Sequence, residues 1–180
     1  MSTYEKSKAA QLTAAKEIDW ADIYEDLLPK VYHYFCLRVG DQQEAEDLTA
    51  ATFERAWRDR ERYRKDLGNF TNWLFGIARH VVIRHFRQNR PERVMTELDT
   101  IGGSRPTEES ATRQAEFERL TSLLTSLPER EREIFSLKYG GQFTNRSIAK
   151  IIGTTESNVG TILYRIVGRL REQWEHENER

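Results

Sequence analysis

The chain has 180 residues, enough for one ordinary domain or two small ones. Charged residues make up 32% and hydrophobic residues 38%, a polar balance that still supplies small cores and argues against wholesale disorder. A formal charge of -1 names no partner by itself, so the distribution of charge must decide. The lone Cys36 excludes an intrachain disulfide framework and suits a reducing compartment. Within "VYHYFCL" it reads as a small buried side chain. With no secretory h-region and no run near the ~18 apolar residues of a membrane span, the sequence predicts a soluble cytoplasmic protein without membrane insertion.

Residues 1–20 form a weakly patterned N-terminal extension. From Asp22 to Val39, Ile23, Leu27, Val31 and Phe35 recur at helical spacing, with Pro29 predicted to start or kink a segment. Gly40-Asp41 stops it. A second helix is predicted over Ala45–Arg60, with Leu48, Thr52, Phe53 and Trp57 around its apolar side. "RYRKDLGNF" breaks the pattern as an exposed loop, and Phe70–Gln88 forms a third helix with Trp73, Leu74, Ile77, Val81 and Phe86 available to a core. The stretch "NRPERVMTELDTIGGSRPTEESATRQ" then has a linker's composition. Periodicity restarts at Phe117 with Leu120, Leu123, Leu124 and Leu127. Pro128 fits the first turn of the next helix, which runs to Gly140-Gly141. Thr144 is placed to cap "NRSIAKII", Gly153 to end it and Thr155 to cap the last helix. No stretch alternates convincingly as a strand. The predicted fold class is all-α, two small helical domains joined by a flexible linker, the second a helix-turn-helix.

On the last helix Val159, Ile162, Leu163, Ile166 and Leu170 share one half. The opposite half presents Ser157, Asn158, Thr161, Tyr164, Arg165 and Gly168, with Arg169 further along. Short hydrogen-bonding groups near a recognition helix's N-terminal end, followed by arginines, suit base edges and phosphates in a major groove. An ordinary solvated helix face would have a similar composition, so this helix alone leaves both readings open. The first domain adds a second signal. "IARHVVIRHFRQNRPERV" carries Arg79, Arg84, Arg87, Arg90 and Arg93 with His80 and His85 against the lone acid Glu92. The loop before it holds Arg62, Arg64 and Lys65 beside Tyr63, Asn69 and Phe70. Cations interleaved with rings suit single-stranded nucleic acid: charge for phosphates, ring faces for unstacked bases. Trp73, Phe75 and Phe86 read instead as core.

These stretches resemble the small two-domain sigma factors of bacterial RNA polymerase, the extracytoplasmic-function type of the sigma-70 family. "AEDLTAATFERAW" is similar to the family's clamp-docking helix. "FTNWLFGIARHVVIRHFRQNR" is similar to the helix and loop that open the −10 element. "LTSLPEREREIFSLKYGGQFTNRSIAKIIGTTESNVGTILYRIVGRLRE" is similar to the domain that reads the −35 element. The resemblance implies a region 2-like domain over residues 21–93, a linker over 94–114, a region 4-like domain over 115–174 and a charged tail over 175–180. It places clamp contacts at Asp47, Leu48 and Phe53 and the melting loop at residues 63–72. Contacts to −10 DNA would then involve Arg62, Tyr63, Arg64, Lys65, Asn69, Phe70, His80, Arg84 and Arg87. Contacts to −35 DNA would involve Ser157, Asn158, Thr161, Tyr164, Arg165 and Arg169.

The chain departs from the family pattern at Ala50 and Ala51, where a glutamine and an acid are frequent. His80 stands at the base-capturing asparagine, Arg84 at a nearby aspartate, Ser147 at a glutamate, and Gly160 and Ile162 at basic positions. The implied partners are core polymerase (clamp and flap), promoter DNA that is duplex at −35 and single-stranded at −10, and an anti-sigma factor. No catalytic residue, cofactor or metal is expected. His33, His80, His85 and His176 form no i, i+4 pair, so an enzyme or helical metal site is disfavoured. A helix-turn-helix regulator acting without polymerase, or a helical interaction module, are the alternative readings.

Overall fold

The computed structural model describes residues 20–88 and 108–178, which form seven α-helices and no strand among the described residues. The first half contains α1 (Trp20–Val39), α2 (Gln42–Arg58), a 3₁₀ turn (Arg60–Arg62) and α3 (Phe70–Gln88). The second contains α4 (Glu108–Thr125), α5 (Glu129–Tyr139), α6 (Asn145–Ile152) and α7 (Glu156–Asn178). Residues 1–19 of the N-terminal extension, residues 89–107 with most of the linker and Arg90, Glu92 and Arg93, and the last two residues lie outside the described part.

Pro29 neither starts nor breaks a helix: it lies inside α1, which runs unbroken from Trp20 to Val39. The ring is exposed, so the bond it cannot donate is lost on the side facing water. Leu27, Val31 and Phe35 anchor the helix on both sides of it. The second helix begins earlier than its apolar pattern, at Gln42, because Asp41 caps it by accepting from the Glu44 amide at 2.7 Å. It ends at Arg58 instead of Arg60, where the chain tightens into the 3₁₀ turn. Two buried threonines on α2 are satisfied within the helix, Thr49 donating to the Ala45 carbonyl and Thr52 to that of Leu48.

The fourth helix begins at Glu108, inside the segment whose composition reads as linker. Its anchor residues Phe117, Leu120, Leu123 and Leu124 pack into the core, and the helix extends back from them through "EESATRQ". Three capping expectations match the geometry. Thr144 accepts from the Ser147 amide, Thr155 accepts from the Asn158 amide, and Gly153 ends α6 in the left-handed region at φ 72. Pro128 lies at the N-cap of α5, one step before its first turn.

The buried apolar side chains of both halves form one continuous cluster. Its first part gathers Val31, Phe35, Ala45, Leu74 and Val82; its second gathers Leu124, Ile134, Ile148, Val159 and Ile166. Each fully buried aliphatic side chain contributes roughly 1.5–3 kcal/mol relative to exposure. Tyr34, Phe75 and Phe143 join the two parts: the Phe75 and Phe143 rings stand 4.7 Å apart, Tyr34 lies against Gly140, and α1 packs against α5 as well as α2. Cys36 is buried, and burial pushes its thiol pKa up.

Candidate nucleic-acid interface

Helices α6 and α7 meet across the turn at Gly153 as a helix-turn-helix. The inner side of α7 is apolar: Val159, Ile162, Leu163, Ile166 and Leu170 are all buried. That packing turns Ser157, Asn158, Thr161, Tyr164, Arg165 and Gly168 outward, and each is exposed. Tyr164 is 83% exposed, the most open large hydrophobic side chain among the described residues, so the core gives it no packing role. The Thr161 hydroxyl donates to the Ser157 carbonyl, and the Asn158 amide donates to the Thr154 hydroxyl at 2.9 Å. Both side chains are therefore held in position near the helix's N-terminal end. Arg169 stands apart from this group: it is half-buried and pairs with Glu131 of α5 at 2.9 Å. Arg146, a residue the sequence reading did not single out, pairs with Glu156 at 3.2 Å at the start of α7 and remains 76% exposed.

A second surface runs along α3. His80, Arg84 and Arg87 are exposed and spaced by four and three residues, which puts them on one face. Asn72, exposed on the same face, joins them; its short polar side chain offers no periodic signal in the sequence. The His80 Nδ1 lies 2.7 Å from the Gly76 carbonyl, so Nδ1 carries the proton in that contact and Nε2 faces outward as the second ring nitrogen. His85 is turned away, its Nε2 3.1 Å from a carboxylate oxygen of Glu44 on α2. Arg79 is also turned away, towards Glu133 of α5 and the Ile151 carbonyl. The basic stretch in the sequence thus divides, with some cations facing solvent and others holding the fold.

The loop before α3 rests on linked rings. Tyr63 contacts Phe70 and Trp73, Phe70 contacts Trp73 and Trp20, and Trp20 contacts Trp57, all with centroids 5.1–5.4 Å apart. Tyr63 and Phe70 are half-buried in this cluster, and the Tyr63 hydroxyl donates to the Gly68 carbonyl at 3.0 Å. Burial pushes the Tyr63 phenol pKa up. The Asn69 side chain accepts from the Asn72 amide and so caps α3. Arg64 pairs with Asp66 at 2.7 Å, and that hydrogen bond holds the Asp66 carboxyl below its ordinary range. Arg62 lies 3.5 Å from Asp59, while Lys65 is exposed. Between the held ends, Leu67 projects with 77% of its surface open.

On α2, Asp47, Ala50, Ala51 and Glu54 share the outward side, whereas Leu48 and Phe53 are buried at 7% and 8% exposure. Of the three clamp positions implied by resemblance, only Asp47 faces solvent; the other two hold α2 in the core. Among the described residues no group of His, Cys, Asp and Glu stands together as a metal site. No helix among them is long and apolar enough to cross a membrane.

The described helices thus form an all-α chain with a helix-turn-helix in its second half and a basic, ring-supported helix in its first, two candidate nucleic-acid surfaces on one helical protein. Residues 23–92 match the Sigma-70 region 2 family, and residues 117–170 match the Sigma-70 region 4 family. The chain is 30% identical over 152 residues to the ECF RNA polymerase sigma factor SigM of Bacillus subtilis, covering 83% of this chain and 91% of that protein. It is 28% identical to the ECF sigma factor BldN of Streptomyces coelicolor, covering 94% of this chain but 64% of that longer protein. Its fold is similar to the sigma factor RpoE of Bartonella quintana, solved with the anti-sigma factor NepR. The TM-score is 0.68 at 21% identity, covering 87% of this chain and 97% of that one. It is also similar to CnrH, solved with the cytosolic domain of CnrY, at a TM-score of 0.60 and 18% identity, covering 92% and 95% of the two chains. The chain belongs to the extracytoplasmic-function sigma factors of the sigma-70 family.

Proposed function

We propose that this chain binds core RNA polymerase, docks α7 on duplex DNA at the −35 element and captures unpaired −10 bases between α3 and the preceding loop. The observation that carries the reading is the outward face of α7, where Tyr164 and Arg165 stand exposed above an apolar inner side. A helix so oriented places ring and guanidinium in a groove without disturbing its own core. At −10, Arg84 and Arg87 supply phosphate contacts, and His80 presents a ring nitrogen and a ring face to a flipped base. Unstacking a base costs a few kcal/mol, and binding along both surfaces offsets it. The chain itself makes and breaks no bond in this role. Asp47 and the small side chains of Ala50 and Ala51 form the outward α2 surface proposed to meet the polymerase clamp, while the second domain meets the flap. The proposed unit boundaries are residues 21–93 and 115–174. An anti-sigma factor is the proposed inhibitor, in line with the complexes in which two proteins of similar fold were solved.

The test is run-off transcription with purified bacterial core polymerase on a genomic fragment pool, with and without the chain. New defined start sites, with shared sequence upstream, are expected. Failure to bind or redirect core would overturn the reading.

A further inference from the structure

A glycine in the middle of α3 has no structural duty of its own. Gly76 is partly exposed, and a Cβ built on it would meet nothing within 4 Å. It lies inside the helix without a positive φ, in a conformation open to any residue. Neither a turn nor a close contact therefore requires it, and glycine in a helix interior weakens the helix relative to alanine. What the missing side chain leaves is a shallow gap on the outward face.

Four residues on, His80 closes one side of that gap. Its Nδ1 stands 2.7 Å from the Gly76 carbonyl oxygen. A carbonyl oxygen only accepts, so Nδ1 carries the proton and the ring is held back over the preceding turn. In the neutral ring Nε2 then keeps its lone pair and acts as an acceptor alone. His80 is exposed, and its ring makes no other hydrogen bond, ion pair or ring contact among the described residues.

The groups around the gap suit a flat, weakly polar ring. At about 100° per residue, Asn72, Gly76, His80, Ile83 and Arg87 fall within roughly 80° of one another. Ile83 is 41% exposed, an apolar side chain left open beside the imidazole. Arg84 and Arg87, both exposed, carry charge for a phosphate backbone. No carboxylate occurs anywhere on α3, so nothing acidic on this helix competes with Nε2 for a donor.

A planar base with a hydrogen-bond donor on its edge fits this arrangement. Its face lies beside bare backbone and Ile83, and its edge donates to Nε2. Adenine, cytosine and guanine each carry an exocyclic amino group, and thymine carries none. The one donor of thymine, its ring N–H, sits between two carbonyl oxygens whose lone pairs oppose that of Nε2. We propose that His80 and the gap at Gly76 form a base subsite that takes an amino-bearing base and rejects thymine. The proposal rests on the −10 capture reading above and adds the chemical class of the captured base. His80 selects; Gly76 supplies the space and, through its carbonyl, the tautomer.

The test uses the full chain with core polymerase on a promoter recovered by run-off. Its −10 region is pre-melted, and each unpaired position is carried in turn as A, C, G or T. Wild type is expected to disfavour thymine about tenfold at one position. An analogue of the preferred base lacking its amino group should bind as weakly as thymine there. His80→Asn, whose amide both donates and accepts, should lose the discrimination while still binding the preferred base. Gly76→Ala should keep or raise thermal stability, since alanine favours the helix. It should nevertheless weaken binding about tenfold, a loss that disappears on a template with an abasic site at that position. Nitrogen NMR of the imidazole should show the Nδ1–H tautomer in the free chain.

A wild type indifferent to thymine at every unpaired position, or discrimination that survives in His80→Asn, overturns the subsite. The sigma reading then stands, because start sites still depend on the chain. An Nε2–H tautomer overturns the acceptor role of His80, and undiminished binding by Gly76→Ala overturns the gap. Should His80→Asn lose helix content by circular dichroism, the amino-lacking analogues on wild type decide alone. Absence of core-dependent start sites with wild type overturns the sigma reading and the subsite with it.

Discussion

The Arg79 guanidinium on α3 meets the Glu133 carboxylate on α5 at 2.6 Å, joining two residues 54 positions apart from opposite halves of the chain. Their side chains are 28% and 14% exposed, so the pair is only partly screened by solvent. Glu133→Ala leaves Arg79 with the Ile151 carbonyl but without its counter-charge. Destabilisation of about 1–3 kcal/mol is expected in urea unfolding. A double-mutant cycle with Arg79→Ala should return a coupling energy well above the ~0.2–1 kcal/mol of exposed pairs; a value inside that range would show that the contact contributes little.

Tyr164 and Arg165 have no structural duty on the inner side of α7, so stability and binding should separate there. Tyr164→Ala should change unfolding free energy by less than about 0.5 kcal/mol. It should still weaken −35 duplex binding about tenfold, the equivalent of ~1.4 kcal/mol. Arg165→Ala should weaken binding across sequences and lower the salt slope by about one. Fluorescence anisotropy at several salt concentrations measures both, and unchanged affinity in the two variants would remove α7 from the interface.

The α3 stripe should act after docking. His80→Ala and Arg84→Ala are expected to leave −35 duplex affinity unchanged and to reduce open-complex formation, read by permanganate reactivity of unpaired thymines on a promoter recovered by run-off. A promoter carrying a pre-melted −10 bubble should bypass much of the defect if the histidine assists unstacking. Equal loss on both templates would point instead to binding of the single strand.

Trp174 gives the charged end of the chain a structural task. Arg119 on α4 lies over its ring at 4.0 Å and donates to its carbonyl oxygen, pinning the last turns of α7 to the helix that follows the linker. Trp174→Ala should cost about 1–2 kcal/mol. It should also raise hydrogen exchange in the first half of α4 before the rest of the domain responds. Uniform protection across the domain would show that the pin is dispensable.

Burial pushes the Tyr34 phenol from its ordinary 10.0 up to about 12. The folded form holds its proton more tightly, so this contribution to stability is intact below about pH 10 and fades as pH rises towards 12. Alkaline scans should show the chain loosening in that window. Tyr34→Phe should remove this part of the pH dependence while keeping the packing volume, and an unchanged scan would assign the transition to other groups.

Much of this protein was legible in its residues because the signals were local. The caps at Thr144 and Thr155, the left-handed Gly153, the span of α3 and the outward face of α7 each depend on neighbours within a few positions. One sequence stretch is enough to express them. Helix starts before the apolar pattern were less legible: Asp41 begins α2 ahead of it, and α4 extends back to Glu108 from anchors that begin at Phe117. Pro29 lies inside α1 and not at a segment start because the carbonyl it leaves without a donor is on the exposed side, which only the orientation of α1 settles.

The residues alone therefore determined an all-α chain, its two sequence units and the identity of the groups on α3 and α7. Tertiary structure decided which of those groups are free to act. Arg84 and Arg87 face solvent, whereas Arg79, on the same helix, turns to Glu133. Arg165 is exposed, whereas Arg169 pairs with Glu131. Leu48 and Phe53 hold the core while Asp47 faces outward. Equivalent residue types part company here because charge pairing and burial depend on partners tens of residues away, which only the packing of separate helices brings near.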